Sequence, residues 1–445
     1  MALFCVQIDY FAVNLALPRM AQDLDSSVAD LQWVISVYML SLGAFMVPAG
    51  RLGDIFGRRR ALMAGVALFG VASVLCAIAP SAPLIVAFRA VQGLGAALIF
   101  PVSVSVLTNA YPAVRASHAI GLAYGIAGLG NAAGPLIGGL LTDTVGWRWI
   151  FWLNVPLTLL SLAIGAWSVT ESRDDTAPRR IDIAGLALIT IGIGLFTLAF
   201  DRAPHWGWLS VATVAAFAGS LGVLAMFVAV ENRVRWPLVD LTLVRNPRFT
   251  VLVVAGTIAN IAYAVAIFLS TLYLQQVRGL DPLMAGLAFL GPSAGAALGG
   301  VLSGRLAASR PPLSVMGRTS VVAAVSLAAL ALAPGWAVYL LALTACGFTL
   351  GLVYAFTTVA TQAVVRPERA GEAAGVTLTA LVTLAGVGVA VSGTVLEMLE
   401  RGGMSTAGAV NVILGVLAAL LLPAGVGVLA ADRGATASAL PRSAD

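Results

Sequence analysis

Residues 50–60 read GRLGDIFGRRR, which places four arginines and one aspartate between two long apolar runs, 33–48 and 61–79. A charged residue at the bilayer centre costs about 2.5–3.5 kcal/mol even on lenient insertion scales. No helix carries this cluster through hydrocarbon, so the segment reads as a tight loop at a membrane face. Short loops rich in arginine or lysine stay on the cytoplasmic side, and that assignment orients the whole chain.

Composition agrees. Mean hydropathy is +0.97, and 60% of residues are hydrophobic and 10% charged, against about 25% charged in soluble domains. Such a chain crosses the bilayer many times. Its formal charge of +5 comes from arginines in loops and carries no nucleic-acid signal. All 25 basic residues are arginine. Cys5, Cys76 and Cys346 stand singly in apolar runs, and His118 and His205 are the only histidines. No Cys/His cluster can form within the membrane, so no metal or cofactor is expected. Residues 1–18 lack the basic leader and small-residue cleavage pattern of a signal peptide.

A span needs about 20 apolar residues, and fourteen runs along the chain approach that length. An even count puts both termini on one side, the cytoplasm. Nineteen arginines fall in the inner loops and tail and five outside (Arg19, Arg148, Arg202, Arg278, Arg401), which with Arg89 inside a span makes up the 25. An internal repeat supports the same layout. Gly50-Arg51-Leu52 recurs as Gly304-Arg305-Leu306, and Gly134 and Gly139 recur as Gly388 and Gly393, each 254 residues on. After Leu306, however, the second copy has nothing equivalent to Asp54. The predicted architecture is an all-α polytopic membrane protein. A six-helix bundle occupies residues 1–170, a linker region with the seventh and eighth spans 171–248, a second six-helix bundle 249–431, and a cytoplasmic tail 432–445. Residues 171–182 read as a flexible link, and 231–248 as an amphipathic stretch on the inner leaflet.

The spacing of Gly50, Leu52, Asp54, Gly57, Arg58 and Arg59 resembles the signature loop of the major facilitator superfamily, which lies between its second and third spans. In the fifth span, Gly130, Gly134, Pro135, Gly138 and Gly139 form GNAAGPLIGG. By spacing alone this is a groove for close helix packing, and it resembles the antiporter signature of exporters in that family. Arg89, Gln92 and Gly93 are similar to the family's fourth-span pattern, whose arginine faces the central cavity and is tied to proton transfer. From its position alone, Arg89 could also snorkel to the outer surface. DYFAVNLALP, with Asp9 and Asn14, resembles the first span of the fourteen-span drug:proton antiporters, departing at Phe11 where threonine is usual. Trp147-Arg148-Trp149-Ile150-Phe151 before Asn154-Val155-Pro156 fits the same subgroup, departing at Thr158.

The resemblance implies two six-helix bundles plus two extra central spans, in the plasma or inner membrane. The implied activity is export of a small amphipathic compound in exchange for protons, by alternating access. The partners are then the substrate, protons and the lipid bilayer, with no cofactor beyond the proton gradient and a monomeric assembly. A proton-coupled importer and a non-transporting receptor-like relative are the rival readings, and no constellation for enzyme chemistry is present. Asp9 is the expected proton-coupling carboxylate, with Glu397 next in line, and Arg89 is its expected counterion. Gly50, Asp54, Gly57, Arg58 and Arg59 are the expected gating loop. Asn14, Tyr38, Gln92, Tyr124 and Tyr263 are candidate cavity residues, the tyrosines being equally suited to packing. A first span of residues 3–18 is short, about 27 Å from Met1 at 1.5 Å per residue, which suggests a start upstream of Met1.

Overall fold

The computed structural model describes residues 1–26, 28–31, 33–174, 182–234, 237–239, 242–280 and 282–438. Within them lie fourteen long helices. The first six are α1 (Ala2–Asp23), α2 (Trp33–Phe56), α3 (Arg58–Ala77), α4 (Ala82–Ala110), α5 (Ala113–Thr144) and α6 (Arg148–Ser168). A hairpin follows, α7 (Ile183–Trp206) and α8 (Val211–Glu231). The last six are α9 (Pro247–Leu272), α10 (Leu290–Ser309), α11 (Pro312–Ala331), α12 (Trp336–Ala363), α13 (Ala370–Arg401) and α14 (Thr406–Ser438). Thirteen are long and apolar enough to cross a membrane; in α1 the described apolar stretch is Ala2–Val13. Helices α1–α6 pack into one bundle and α9–α14 into another, and the α7–α8 hairpin lies against α2 and α13.

The arginine-rich segment is not a loop. α2 continues through Phe56 and α3 begins at Arg58, leaving Gly57, with φ +114°, as the only residue between them. The charges tolerate burial because Asp54 and Arg58, one helical turn apart, pair at 2.7 Å. The link to α7 also differs from expectation over its described part. Asp174 N–H donates to Asp54 O and Arg58 N–H to Ser172 O, both at 2.8 Å, which ties residues 171–174 to the α2–α3 turn; 175–181 lie outside the described residues. The described apolar positions of the stretch after α8 divide, with Leu238, Val239 and Leu243 buried in the protein and Val244 exposed. Leu238 and Val239 are buried against Val47, Ile189 and Phe227.

Glycines set where the two bundles meet. A Cβ on Gly50 would collide with the Gly371 carbonyl, and one on Gly375 would stand 2.8 Å from Met46 O. On the other flank, a Cβ on Gly121 would lie 2.7 Å from Gly304 N, and one on Gly304 would overlap Ser117. These contacts are related by the repeat offset, since 304 − 50, 371 − 117 and 375 − 121 all equal 254. The α2–α13 and α5–α10 interfaces are therefore two copies of one design. Both lie toward the arginine-rich face.

α5 carries a second glycine stripe, about 180° away at 100° per residue. A Cβ on Gly130 would meet Phe4 O at 2.9 Å, one on Gly134 the Phe11 Cβ at 2.6 Å, and one on Gly138 the Ala12 Cα at 2.6 Å. This stripe seats α1, so α5 is held between the first helix and the opposite bundle. Gly139 is half-buried on the same helix, and the side chain of Pro135 lies outside the described residues.

Candidate functional site

Three features depend on these packings: a closure at the arginine-rich face, a buried polar network in the first bundle, and a cavity between the bundles.

The closure is built on Asp54, which is fully buried. Its Oδ2 accepts from Glu372 N–H at 2.9 Å, and its Oδ1 from Gly371 N–H at 3.3 Å, Ser105 Oγ at 3.2 Å and Arg58 Nε at 2.8 Å. Both backbone donors belong to the first turn of α13, where the helix dipole favours negative charge. Arg58 reaches across as well, donating from Nη2 to Glu368 O at 2.7 Å, and Asn109 Nδ2 donates to Pro367 O at 2.9 Å. Arg59 acts differently, bonding Ala166 O at 2.8 Å within its own bundle. Glu171, which the sequence placed in a loose linker, caps α3 by accepting from Arg59 N–H at 3.0 Å and Arg60 N–H at 3.3 Å. Its carboxylate would lie 2.7 Å from a Cβ on Gly57. Gly57 is therefore required twice, for its φ and for this contact.

The network centres on Asp9 and Arg89, both 0% exposed. Arg89 Nη1 bonds Asp9 Oδ2 at 2.5 Å and Gln92 Oε1 at 2.6 Å, and Nε bonds Val34 O at 3.0 Å. Asp9 Oδ1 accepts from Asn154 Nδ2 at 2.6 Å and Gln92 Nε2 at 3.2 Å. Ser73 Oγ accepts from Gln92 at 2.8 Å and donates to Phe69 O at 2.7 Å. The guanidinium lies 4.1 Å from the centre of the Tyr38 ring. Five helices of the first bundle thus converge on one carboxylate. Bonds of this kind offset most of the cost of burying the ion pair, although Arg89 Nη2 has no hydrogen-bond partner, and Arg89 neither snorkels nor faces the central cavity.

That cavity, about 570 Å³, lies between the bundles and is walled by α1, α2, α4, α5, α7, α9, α10, α12 and α13. Tyr124 and Tyr263 line it, as do Tyr10, Phe11, Asn131, Asn260, Tyr354 and Thr383. Tyr38 and Gln92 do not; they belong to the Asp9 network behind the wall. Helical periodicity could not separate these positions, because α2 and α4 are apolar all round and their faces toward the bundle and the cavity look alike. The side chain of Asn14 lies outside the described residues. Tyr10 stands in the wall next to Asp9 in sequence, and its ring stacks on Tyr38 at 6.3 Å between centroids. One continuous aromatic contact therefore links the cavity to Arg89. Trp33, Asp201 and Glu397 line the cavity near the helix ends opposite the arginine-rich face. The hairpin helix α7 contributes Thr197 and Asp201 to the wall, a role the sequence did not reveal. Ser73, Asn154 and Glu171 were also missed as site residues; for Ser73 and Asn154 the one available signal was a polar side chain isolated in an apolar run, and Glu171, within the charged segment 171–182, had none.

Two bundles, a cavity between them and a closure at one end define a membrane transporter fold, and the chain belongs to the Major Facilitator Superfamily, whose family model matches residues 1–390. It is 34% identical over 403 residues to the multidrug resistance protein Stp of Mycobacterium tuberculosis, covering 89% of this chain and 74% of that one. It is 35% identical over 285 residues to the tetracenomycin C resistance and export protein of Streptomyces glaucescens, covering 64% of this chain and 53% of that one. Among solved structures it resembles the human organic anion transporter MFSD10, with a TM-score of 0.68 at 14% identity over 95% of this chain and 97% of that chain.

Proposed function

We propose that this protein exports small amphipathic compounds from the cell by proton antiport, through alternating access of the central cavity. The observation that carries the reading is the pairing of a cavity closed by charge at one face with a buried carboxylate network one aromatic stack away. The arginine-rich face is the cytoplasmic one by the positive-inside rule, so the conformation is outward-facing. Asp9 is the proton carrier, because it is the carboxylate that five helices hold at the core of the first bundle. Drug-resistance and export functions named for relatives agree with the direction. In this reading α1 is the fourteenth span, both termini are cytoplasmic, the protein works as a monomer in the cell membrane without cofactor, and it catalyses no chemical reaction.

The test is a pair of measurements. A drug-susceptibility panel of cells with and without the gene identifies compounds that it exports. Purified protein in proteoliposomes with a pH-sensitive dye should then show a substrate-dependent pH change. Resistance without any such pH change overturns proton coupling, and sensitisation of cells by the gene overturns export.

A further inference from the structure

We infer that the α7–α8 hairpin moves as part of the first bundle and slides over α13 during transport, serving as the side wall of the outward-facing cavity; this rests on the alternating-access reading. The two flanks between the bundles begin alike. A Cβ on Gly128 would lie 3.1 Å from the Ala297 Cα, and one on Gly43 3.0 Å from Thr383 Oγ1; Ala297 stands 254 residues after Gly43. Farther from the arginine-rich face the flanks part. The short helix Pro282–Ala288 packs on both α10 and α5, so that side is closed by the bundles themselves. Its counterpart beginning 254 residues earlier, Val28–Leu31, packs on α1, α2 and α4 within its own bundle. The gap this leaves between the outer halves of α2 and α13 is filled by α7, which packs on both and places Thr197 and Asp201 in the cavity wall.

The hairpin is held unequally by its two neighbours. On α2, Asp201 accepts from Ser36 Oγ at 2.8 Å, the Arg202 guanidinium lies 3.4 Å from the centre of the Trp33 ring, and Ile189 is buried with Val47. On α13, Val376 packs against that same cluster near the arginine-rich face. At the outer end the described side chains supply one hydrogen bond, from Trp208 Nε1 to Thr394 Oγ1 at 2.9 Å. The cavity-lining edge of α13 next to it carries Gly386, Ala390 and Gly393, which raise no ridge for another helix to lock into. When the outer ends of the bundles approach, a helix fastened to α2 must pass along α13. The Trp208–Thr394 bond is then an outer latch that opens in each cycle, while the contacts to α2 persist.

Two cross-links test this in the full-length protein in proteoliposomes, each compared with the same variant before cross-linking. An ideal Cβ on Gly194 lies 4.0 Å from the Ala44 Cβ, within the range of about 3.5–4.5 Å that a disulfide spans. Ala44→Cys with Gly194→Cys therefore ties the hairpin to α2, and transport of a compound identified by the susceptibility panel should stay within about twofold. Bridging Trp208→Cys to Thr394→Cys with a bifunctional methanethiosulfonate ties it to α13 and should slow transport at least about tenfold until a reductant cleaves the bridge. Loss of transport with the first tie, or its persistence with the second, overturns the inference. Where a double variant fails to fold, spin labels at Val145→Cys, Leu209→Cys and Met404→Cys, all exposed, read the same motion from the first bundle, the hairpin and the second bundle. In Asp54→Asn the Leu209–Met404 distance should shift together with the Val145–Met404 distance, while the Leu209–Val145 distance stays fixed. A varying Leu209–Val145 distance, or no shift at all, also overturns it. The export reading is judged separately by the susceptibility panel, and its failure would leave the label distances still reporting on the hairpin.

Discussion

Replacing Asp54 by asparagine keeps the size of the side chain and removes its charge at the point where the two bundles are fastened. The bond to Arg58 lies within one bundle and persists whichever way the transporter faces, so it does not count toward the closure. The bonds that cross are those from Glu372 N–H at 2.9 Å and Gly371 N–H at 3.3 Å. Hydrogen bonds to a charged group contribute about 1.5–3 kcal/mol each. The longer one is shared with three other acceptor contacts of Oδ1, and asparagine retains one acceptor oxygen. The expected loss is therefore about 2–3 kcal/mol in total, a shift of roughly 30- to 150-fold in the balance between closed and open states. Spin labels at Arg115→Cys and Arg310→Cys, both on exposed positions of the arginine-rich face, would report it, because the native Cys5, Cys76 and Cys346 are buried. Pulsed electron resonance should show a longer distance becoming populated in Asp54→Asn, together with slower transport. An unchanged distance distribution with full transport would falsify the assignment of Asp54 as the fastening.

Gly57→Val should reduce both folded yield and transport, because it forces a β-branched residue to φ +114° with its Cβ 2.7 Å from the Glu171 carboxylate; wild-type thermal stability would contradict this. Asp9→Asn should preserve substrate binding but abolish proton-driven accumulation, measured as uphill export from vesicles. Undiminished uphill export would move the coupling site elsewhere, and the exposed Glu397–Arg401 pair would be the next candidate to examine. Tyr38→Leu removes the ring beneath the Arg89 guanidinium, an interaction worth about 0.5–2 kcal/mol. It should lower the number of protons exchanged per substrate more than substrate affinity, and a change in affinity alone would refute the aromatic link.

The repeat and the arginine asymmetry made the architecture legible, because both are properties of whole spans. The constant offset of 254 also anticipated that Gly50 and Gly304 would occupy matching places. What sequence could not show was the partner of each charge. In sequence the cluster reads as a tight gating loop, which hides that Asp54 and Arg58, four residues apart, stand one helical turn from each other and can pair. The need for an acidic partner for Arg89 was legible from the cost of an unpaired charge in hydrocarbon. Its further bonds to Val34 and Gln92, and the Asn154 bond that holds Asp9 against it, depend on how the neighbouring helices lean on α4. Glu171 was hidden for the same reason. It lies 112 residues from the amide it caps, and no local pattern marks that distance.

The two glycine-lined interfaces at the arginine-rich face are matched in backbone but not in charge, since Ala308 stands 254 residues after Asp54. Shape alone is thus shared between the flanks, while the energetic bias belongs to one of them. The resting orientation of the molecule can then drift in evolution by altering a single carboxylate or the amides it meets, with no repacking of the helices. Variants that differ only there would keep the same cavity yet spend different fractions of time facing each side of the membrane.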